Sequence, residues 1–167
     1  FTFKASDGIS DSNTATTTIT VTFVNDPPVA DNQSVTVAED SSNNEITLTA
    51  TDAENDDFTY SLVSQPAHGT LSGTVPNLTY TPNANYFGAD TFQFKVNDGT
   101  TDSGLATVTI TINSINDDPV ATSLTVSVRI NTSVAILLSA TDSETDNLTL
   151  QVTSQPSNGS LLGSPPI

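Results

Sequence analysis

Hydrophobic and polar residues alternate with a period of two along much of this 167-residue chain. Successive side chains of a strand point to opposite faces of a sheet, so this period predicts strands with one buried face. Pro, Gly and Asp-Gly turn signals separate the runs, and no stretch keeps a helical period of 3.6. In the middle of the chain the alternating runs are 35–37, 46–50, 58–62, a single position at 71, 78–80, 92–96 and 108–112.

The chain also repeats itself with a period of about 90 residues. Residues 1–30 align without a gap with residues 92–121, and residues 46–77 align with residues 136–167. Self-similarity at a fixed spacing indicates an array of equivalent structural units, and this sequence is expected to be a window from a longer array. We therefore predict the last strands of a truncated repeat at 1–25, a complete repeat at 26–116 and the first part of a third repeat at 117–167.

Seven short strands in about 90 residues, each with one apolar face, predict two antiparallel sheets packed face to face. The expected fold class is all-β, with tandem Greek-key antiparallel β-sandwiches of cadherin-like or Ig-like type. Each repeat would occupy about 90 residues and bury its own small core.

The charge of the chain excludes several classes of partner. It carries 19 Asp and Glu residues against 3 Lys and Arg residues, a formal net charge of −16. Nucleic-acid binding needs clustered basic residues, so a nucleic-acid partner is not expected. No apolar run is long enough to span a bilayer, so membrane insertion is not expected either. The chain has no Cys, which excludes disulfides and thiol catalysis.

An enzymatic role has little support in the sequence. His68 is the single imidazole, and Asn158 occupies the equivalent position of the next repeat. A Ser–His or Cys–His catalytic pair therefore cannot be assembled. Paired carboxylates recur once in each repeat, in loops and not in one cleft, so we predict no catalytic residues and no enzymatic activity.

The acidic residues collect at three places that recur with the repeat: the linker, the loop after the second strand, and the turn before the last strand. A fourth acidic pair, Glu39-Asp40, ends the first strand and appears once. In an antiparallel sandwich these three places meet at the same end. Two carboxylates about 4 Å apart repel by about 4 kcal/mol at an effective dielectric of about 20, so a bound cation is expected. Carboxylate and amide oxygens without His or Cys exclude a normal zinc site and favour Ca²⁺ over Mg²⁺. The alternatives are a simple turn, a stiff polar linker and a solvated loop.

Several phrases together resemble a cadherin repeat. They are Ala50-Thr-Asp-Ala-Glu54, the Asn-Asp-x-Pro linker, Val37-Ala-Glu39 and Val96-Asn-Asp-Gly99. More closely, residues 77–121 resemble the bacterial cadherin-like or immunoglobulin-like tandem repeats of large surface adhesins, through the segments 80–92 and 108–119. The resemblance covers essentially the whole chain, and it implies calcium ions at the junctions between repeats.

The resemblance also implies a set of metal ligands for each junction. At the first junction they would be Asn25, Asp26, Asp52, Glu54, Asp56 and Asp98. At the second junction they would be Glu39, Asn116, Asp117, Asp142, Glu144 and Asp146. The sequence departs from the cadherin pattern in three respects. Glu54 and Glu144 replace a shorter Asp, and the acidic triplet before the sixth strand has only Asn85 and Asp90 nearby. In the third repeat, Arg129-Ile130 replaces Ala38-Glu39.

The function expected from these features is a calcium-rigidified extracellular spacer or stalk in a repetitive cell-surface adhesin or surface fibre. Its partners would be neighbouring repeats of the same chain, together with a cell-surface glycan or protein, or other copies in a fibre. One alternative is a calcium-dependent polysaccharide-binding module, for which Tyr86, Phe87 and Phe23 are the candidate contacts. Another is a filament subunit assembled by strand complementation. Each of these roles implies a secreted, extracellular location.

Overall fold

The computed structural model of the chain describes residues 1–163, and within them all regular structure is β-strand. No helix in this part of the chain is long and apolar enough to cross a membrane. The strands are β1 (Thr2–Phe3), β2 (Ala15–Thr16), β3 (Val29–Ala30), β4 (Gln33–Ala38), β5 (Asn44–Thr47), β6 (Ala50–Thr51), β7 (Thr59–Leu62), β8 (Gly69–Thr74), β9 (Asn77–Pro82), β10 (Gly88–Asn97), β11 (Ala106–Asn113), β12 (Val120–Ala121) and β13 (Ala140–Thr141).

Two larger sheets form the body of the protein. One has four strands in the order β4-β11-β10-β7, and the other has three strands in the order β5-β9-β8. The inward side chains of both sheets share one hydrophobic core, which confirms the all-β sandwich. Each of the seven alternating runs overlaps a strand of these two sheets, although Leu48 and Phe58 lie just outside the strands and Ala50 belongs to β6, which pairs with β3.

The core follows the alternation of the sequence. Along β11, for example, every second residue is buried, from Ala106 to Ile112. Full burial of such a side chain contributes roughly 1.5–3 kcal/mol. The buried apolar residues are Val37, Ile46, Leu48, Leu78, Tyr80, Phe92, Phe94, Val96, Ala106, Val108, Ile110 and Ile112.

The first strand of the sandwich differs from the antiparallel prediction. Its first part, β3, pairs antiparallel with β6, but its second part, β4, pairs parallel with β11. The change of sheet takes place at Asp31 and Asn32. The backbone N–H of Asp31 donates to Thr49 O at 3.0 Å, whereas the side chain of Asn32 accepts a hydrogen bond from the backbone N–H of Thr107 at 2.7 Å. The two crossing residues are therefore fixed on opposite sides, Asp31 by Thr49 just before β6 and Asn32 by Thr107 of β11.

A buried carboxylate joins three segments of the sandwich. Asp90 of β10 is 5% exposed, and its two oxygens accept hydrogen bonds from the backbone N–H groups of Ala67, His68 and Thr91 and from the hydroxyl of Tyr80, all at 2.9 Å. Burial acts to raise the pKa of Asp90, but these hydrogen bonds outweigh burial and the pKa is lowered. Asp90 therefore fixes the loop before β8 against β9 and β10.

The packing around Tyr80 explains one glycine. A Cβ atom on Gly69 would lie 2.4 Å from the ring and the hydroxyl of Tyr80. Burial and the hydrogen bond to Asp90 raise the pKa of Tyr80, so the hydroxyl stays protonated and donates. Gly69 thus makes room for the aromatic side chain on which the Asp90 cluster depends.

The flanking segments contain only short strand pairs. The pair β12–β13 has the register Val120↔Thr141, which is equivalent to Val29↔Thr51 between β3 and β6. The pair β1–β2 precedes the sandwich. Many apolar side chains of both flanking segments are exposed, and the last four residues of the predicted third repeat lie outside the described residues. The repeat limits drawn from the sequence stay a prediction.

Replacing Asp90 should destabilise the sandwich. Asp90→Ala would leave two loop N–H groups and the Tyr80 hydroxyl without their acceptor, so unfolding free energy should fall by about 3 kcal/mol or more. Chemical denaturation measures this change. Glu45→Ala is the matched control, because Glu45 is an exposed acid on β5 and its replacement should change stability by less than about 0.5 kcal/mol. Equal losses in the two variants would contradict the role of Asp90.

The stabilisation of the sandwich by Asp90 should also depend on pH. The pKa of Asp90 is lowered in the folded state, so its stabilisation is fully present above the unfolded pKa of about 3.9. It is lost as the pH falls below that value and through the lower folded pKa. Denaturation curves between pH 7 and pH 2 should therefore show an acid-dependent loss that is smaller in Asp90→Asn. An identical acid slope in both proteins would contradict this account.

Candidate metal centre

The loop after β6 is organised by the side chain of Asp52. Its Oδ1 accepts hydrogen bonds from the backbone N–H of Glu54 at 2.9 Å and of Asp56 at 3.4 Å. Such side-chain-to-backbone bonds are typical of Asp, which forms turns in this way. Asn55 takes a positive φ of 61°, a conformation that Asn tolerates better than most residues. The loop therefore presents Asp52 and Glu54 at one end of the sandwich.

The linker crosses this loop and contacts it directly. The side-chain amide of Asn25 donates to Asp98 Oδ2 at 2.9 Å, and the backbone N–H of Asp26 donates to Glu54 Oε2 at 3.3 Å. Asp98 lies in the turn before β11. The structure thus joins the linker, the loop after β6 and the turn before the last strand, as the sequence predicted for the first junction.

Asp98 is held in its charged form. The hydrogen bond from Asn25, followed by those from the backbone N–H groups of Thr101 and Thr100, lowers its pKa. Asp7 occupies the equivalent turn of the first segment, and the backbone N–H groups of Ser10 and Ile9 lower its pKa in the same way. The carboxylate at this turn is therefore ionised at neutral pH.

The second junction repeats the loop geometry. Oδ1 of Asp142 accepts hydrogen bonds from the backbone N–H of Glu144 at 3.0 Å and of Asp146 at 3.1 Å, and Oε2 of Glu144 accepts one from the linker N–H of Asp117 at 3.0 Å. These are the bonds of the first junction shifted by about 90 residues. The conformation recurs as well, with a positive φ of 64° at Thr145.

Glu39 enters the second junction from the far end of the sandwich. It is 2% exposed, and its Oε1 accepts a hydrogen bond from the backbone N–H of Ile115 at 2.7 Å, next to the linker. Its own backbone N–H donates to Asn113 O. The end of β4 and the end of β11 are therefore fastened together where the linker begins.

Three junction carboxylates share an unusual feature. One oxygen of each is bound to a backbone N–H, whereas the other is buried and has no hydrogen-bond partner among the described residues. The unpaired atoms are Asp52 Oδ2 at the first junction, and Glu39 Oε2 and Glu144 Oε1 at the second. A buried unpaired carboxylate oxygen is costly, because it has lost its water without gaining a donor. Each of these three atoms belongs to a residue predicted as a ligand from the sequence, whereas the fourth buried unpaired oxygen among the described residues, the amide oxygen Gln33 Oε1, belongs to β4.

The remaining predicted ligands are less closely involved. Asp56 and Asp146 contribute backbone N–H groups to the loops, and the side chain of Asn116 donates to Asp117 O at 3.0 Å. Among residues 1–163, no three acidic or imidazole groups form a preassembled metal-binding cluster. The structure therefore brings the predicted residues to the two junctions without arranging them as a complete coordination shell.

Three residues that were not predicted as ligands, Asp40, Asn85 and Ser143, also lie at the second junction. The backbone N–H of Asn85 donates to Asp40 Oδ1 at 3.0 Å, and its side-chain amide donates to Asp117 Oδ2 and to Ser143 Oγ. In the sequence, Asn85 stands out only because it lies near the position of the acidic triplet that cadherins have and this chain lacks. The repeat alignment offers one signal for Ser143: the equivalent residue of the first junction is Ala53, which has no hydroxyl.

Comparison with protein families identifies the sandwich. Residues 25–111, which are 87 of the 167 residues, match the family described as a bacterial Ig domain. The chain belongs to this family. The matched segment runs from the linker residue Asn25 through most of β11, so the bacterial Ig domain includes every strand of the two larger sheets and the whole first junction.

Two curated relatives of this bacterial Ig chain come from Dictyostelium discoideum. Integrin beta-like protein B is 45% identical over 65 residues, which cover 39% of the chain and 3% of that protein. Integrin beta-like protein A is 30% identical over 174 residues, which cover 89% of the chain and 9% of that protein. The chain therefore spans less than a tenth of the length of either relative.

Two solved structures are similar at low sequence identity. A variant of an endo-fucoidan hydrolase from glycoside hydrolase family 107 is 20% identical, with a TM-score of 0.45 over 74% of this chain and 21% of that one. Extracellular cadherin domains 3–6 of protocadherin gamma B2 are 15% identical, with a TM-score of 0.44 over 70% of this chain and 31% of that one.

The Asn25–Asp98 contact can be tested by titration. In Asn25→Ala the first cause of the lowered Asp98 pKa is lost, so this pKa should rise towards its ordinary value. Carboxyl carbon NMR across the acid range measures it. Asp7 provides an internal control, because its hydrogen bonds come from its own turn and its pKa should not change. An unchanged Asp98 pKa would show that the linker does not reach this turn in solution.

Proposed function

We propose that this chain is a spacer segment of an extracellular adhesion protein, in which calcium ions stiffen the junctions between bacterial Ig domains. The observation that carries the proposal is the set of buried carboxylate oxygens without partners at both junctions: Asp52 Oδ2, Glu39 Oε2 and Glu144 Oε1. A divalent cation would supply the missing partner of each. Rigidity of the junctions is then the function of the segment.

The donor set fits calcium. Ca²⁺ takes six to eight oxygen ligands at about 2.3–2.6 Å from carboxylates, amide and backbone carbonyls and water. At the first junction Asp52, Glu54 and Asp98 offer carboxylates and Asn25 and Asp26 offer linker oxygens. At the second junction Glu39, Asp142, Glu144 and Asp117 offer carboxylates, and Asn116 offers an amide. Backbone hydrogen bonds already fix the loops, and the ligand side chains would have to move closer together to complete the coordination shell.

Electrostatics also favours a cation at these places. Only one ion pair is present among residues 1–163, between Lys95 and Asp102 of the hairpin that also carries Asp98, and none of the predicted ligands takes part in it. With 19 acidic and 3 basic side chains the chain has almost no cations of its own to neutralise the loops. The loops would repel the linker at neutral pH, so a bound divalent ion would change that repulsion into a cross-link.

The adhesion context is supported by the family and by the names of the relatives. The chain is a bacterial Ig domain, and both curated relatives are described as integrin beta-like proteins. We therefore place the segment in a secreted, cell-surface protein, with neighbouring repeats as its immediate partners. A glycan or protein bound elsewhere on the parent protein would be its target, and the segment itself would not be an enzyme.

A polysaccharide-binding role has weaker support. The ring of Tyr86 is stacked on His68 with centroids 3.9 Å apart, and its hydroxyl donates to Ala89 O at 3.0 Å. One face and the hydroxyl of Tyr86 are therefore engaged within the domain. Of the three candidate contacts, Phe87 is 46% exposed and Phe23 is 73% exposed, so these two would remain for a polysaccharide.

Calcium should stabilise and straighten the chain. At a free concentration about 100 times the dissociation constant, preferential binding to the folded state should raise the melting temperature by roughly 10 °C. Small-angle X-ray scattering should show one extended shape with calcium and a broader distribution of shapes in EDTA. The Asp52→Ala/Glu54→Ala double variant should mimic EDTA at the first junction, because it removes the loop carboxylates there.

The matched control is Glu45→Ala, which removes an exposed acid outside both junctions and should respond to calcium as the unmodified chain does. The proposal is wrong if neither melting nor scattering of the unmodified chain differs between calcium and EDTA. It is also wrong if the double variant keeps the full calcium response.

A further inference from the structure

The loop between β9 and β10 presents one side chain to the next unit. Asn85 takes a positive φ of 55° there, and its backbone N–H donates to Asp40 Oδ1 at 3.0 Å. The loop is closed by a second bond, from the backbone N–H of Tyr86 to Asn83 O at 3.2 Å. The backbone of Asn85 is therefore fixed by its own domain, which sets the point from which its side chain extends.

From this position the amide of Asn85 reaches two residues that belong to the other side of the junction. Its Nδ2 donates to Asp117 Oδ2 in the linker and to Ser143 Oγ in the loop after β13, each at 2.5 Å. We propose that Asn85 is a metal-independent clasp that docks the following repeat through Ser143 and the linker through Asp117. Its partner is the loop 142–146 of the next repeat in the same chain.

The two hydrogens of the amide explain how one side chain can join both partners. An Asn side chain carries two N–H donors, and here one faces a carboxylate and the other a hydroxyl. An acidic residue at this position could accept but not donate, and it would repel Asp117. The amide thus connects the two sides directly, where a carboxylate would depend on a cation to do so.

The clasp requires a hydroxyl on the loop of the following unit. Ser143 supplies it at the second junction, whereas Ala53 occupies the same position at the first. Apart from this residue the two loops share the motif Ala-Thr-Asp-x-Glu and the same backbone hydrogen bonds. Alternation of Ser and Ala would therefore decide which junctions of an array close in this way.

The clasp should be weak and reversible. Asn85 and Ser143 are exposed, so water competes for their hydrogen bonds, and one such bond changes an equilibrium by roughly fivefold. A population of open junctions is thus expected even in the unmodified chain. The clasp favours one orientation of the next repeat without locking it, and it does so in the absence of calcium.

The test follows the side-chain amide protons of Asn85 by ¹⁵N NMR in the full chain, with EDTA present. In Ser143→Ala their resonances should move towards free-amide positions, and their exchange with water should quicken by roughly fivefold. Ser143→Thr keeps a hydroxyl and should retain most of the protection. The side-chain amide of Asn83 in the same loop is the internal control and should not change.

The melting temperature of the sandwich should stay the same in both variants, since Ser143 lies outside it. The backbone amide of Thr122, which donates to Ser139 O at 2.9 Å beside the β12–β13 pair, shows whether the following segment keeps its structure. The clasp is refuted if Ser143→Ala leaves the Asn85 amide unchanged. It is also refuted if protection of that amide is seen only after calcium is added, a result that would leave the calcium proposal standing.

Discussion

The structure depends on carboxylates that accept hydrogen bonds from backbone N–H groups. A chain with so few basic side chains cannot stabilise its acids by ion pairs, and it places them where loops turn and N–H groups are free. Asp90 does this inside the sandwich and Asp52 does it at its end. The same interaction therefore stabilises the domain and shapes the surface at which two domains meet.

Asp90 and the junction carboxylates differ in how many of their oxygens accept hydrogen bonds. Both oxygens of Asp90 are fully used, so this residue serves the fold alone. Asp52, Glu39 and Glu144 each use one oxygen and leave the other buried without a partner. Backbone hydrogen bonds give these loops a fixed shape without neutralising them. That combination is suited to cation binding, because the backbone of the loops is set in advance and the charge is retained.

Much of the fold could be predicted from the sequence, because a period of two maps directly onto the buried faces of β10 and β11. The parallel pairing of β4 could not, since it results from a crossing at Asn32 that a period of two does not reveal. At the junctions, the positions of Asp52 and Glu144 followed from the recurrence of their loops.

The contacts of Asn85 did not follow from the sequence in this way. They depend on the φ angle of Asn85 and on the approach of its loop to the linker and to the loop after β13. The pattern of hydrophobic and polar residues predicts neither. The role of Ser143 could not be predicted either, because only the structure shows that Asn85 faces its hydroxyl. Sequence periodicity therefore located the junctions, whereas their polar contacts required the structure.

The most direct test of the account is to locate bound cations by anomalous scattering from crystals grown with calcium and with a lanthanide substitute. The account predicts a peak within about 2.3–2.6 Å of Asp52 Oδ2 at the first junction and of Glu39 Oε2 at the second. Ordered water molecules donating to these two oxygens, with no anomalous peak at either junction, would contradict it.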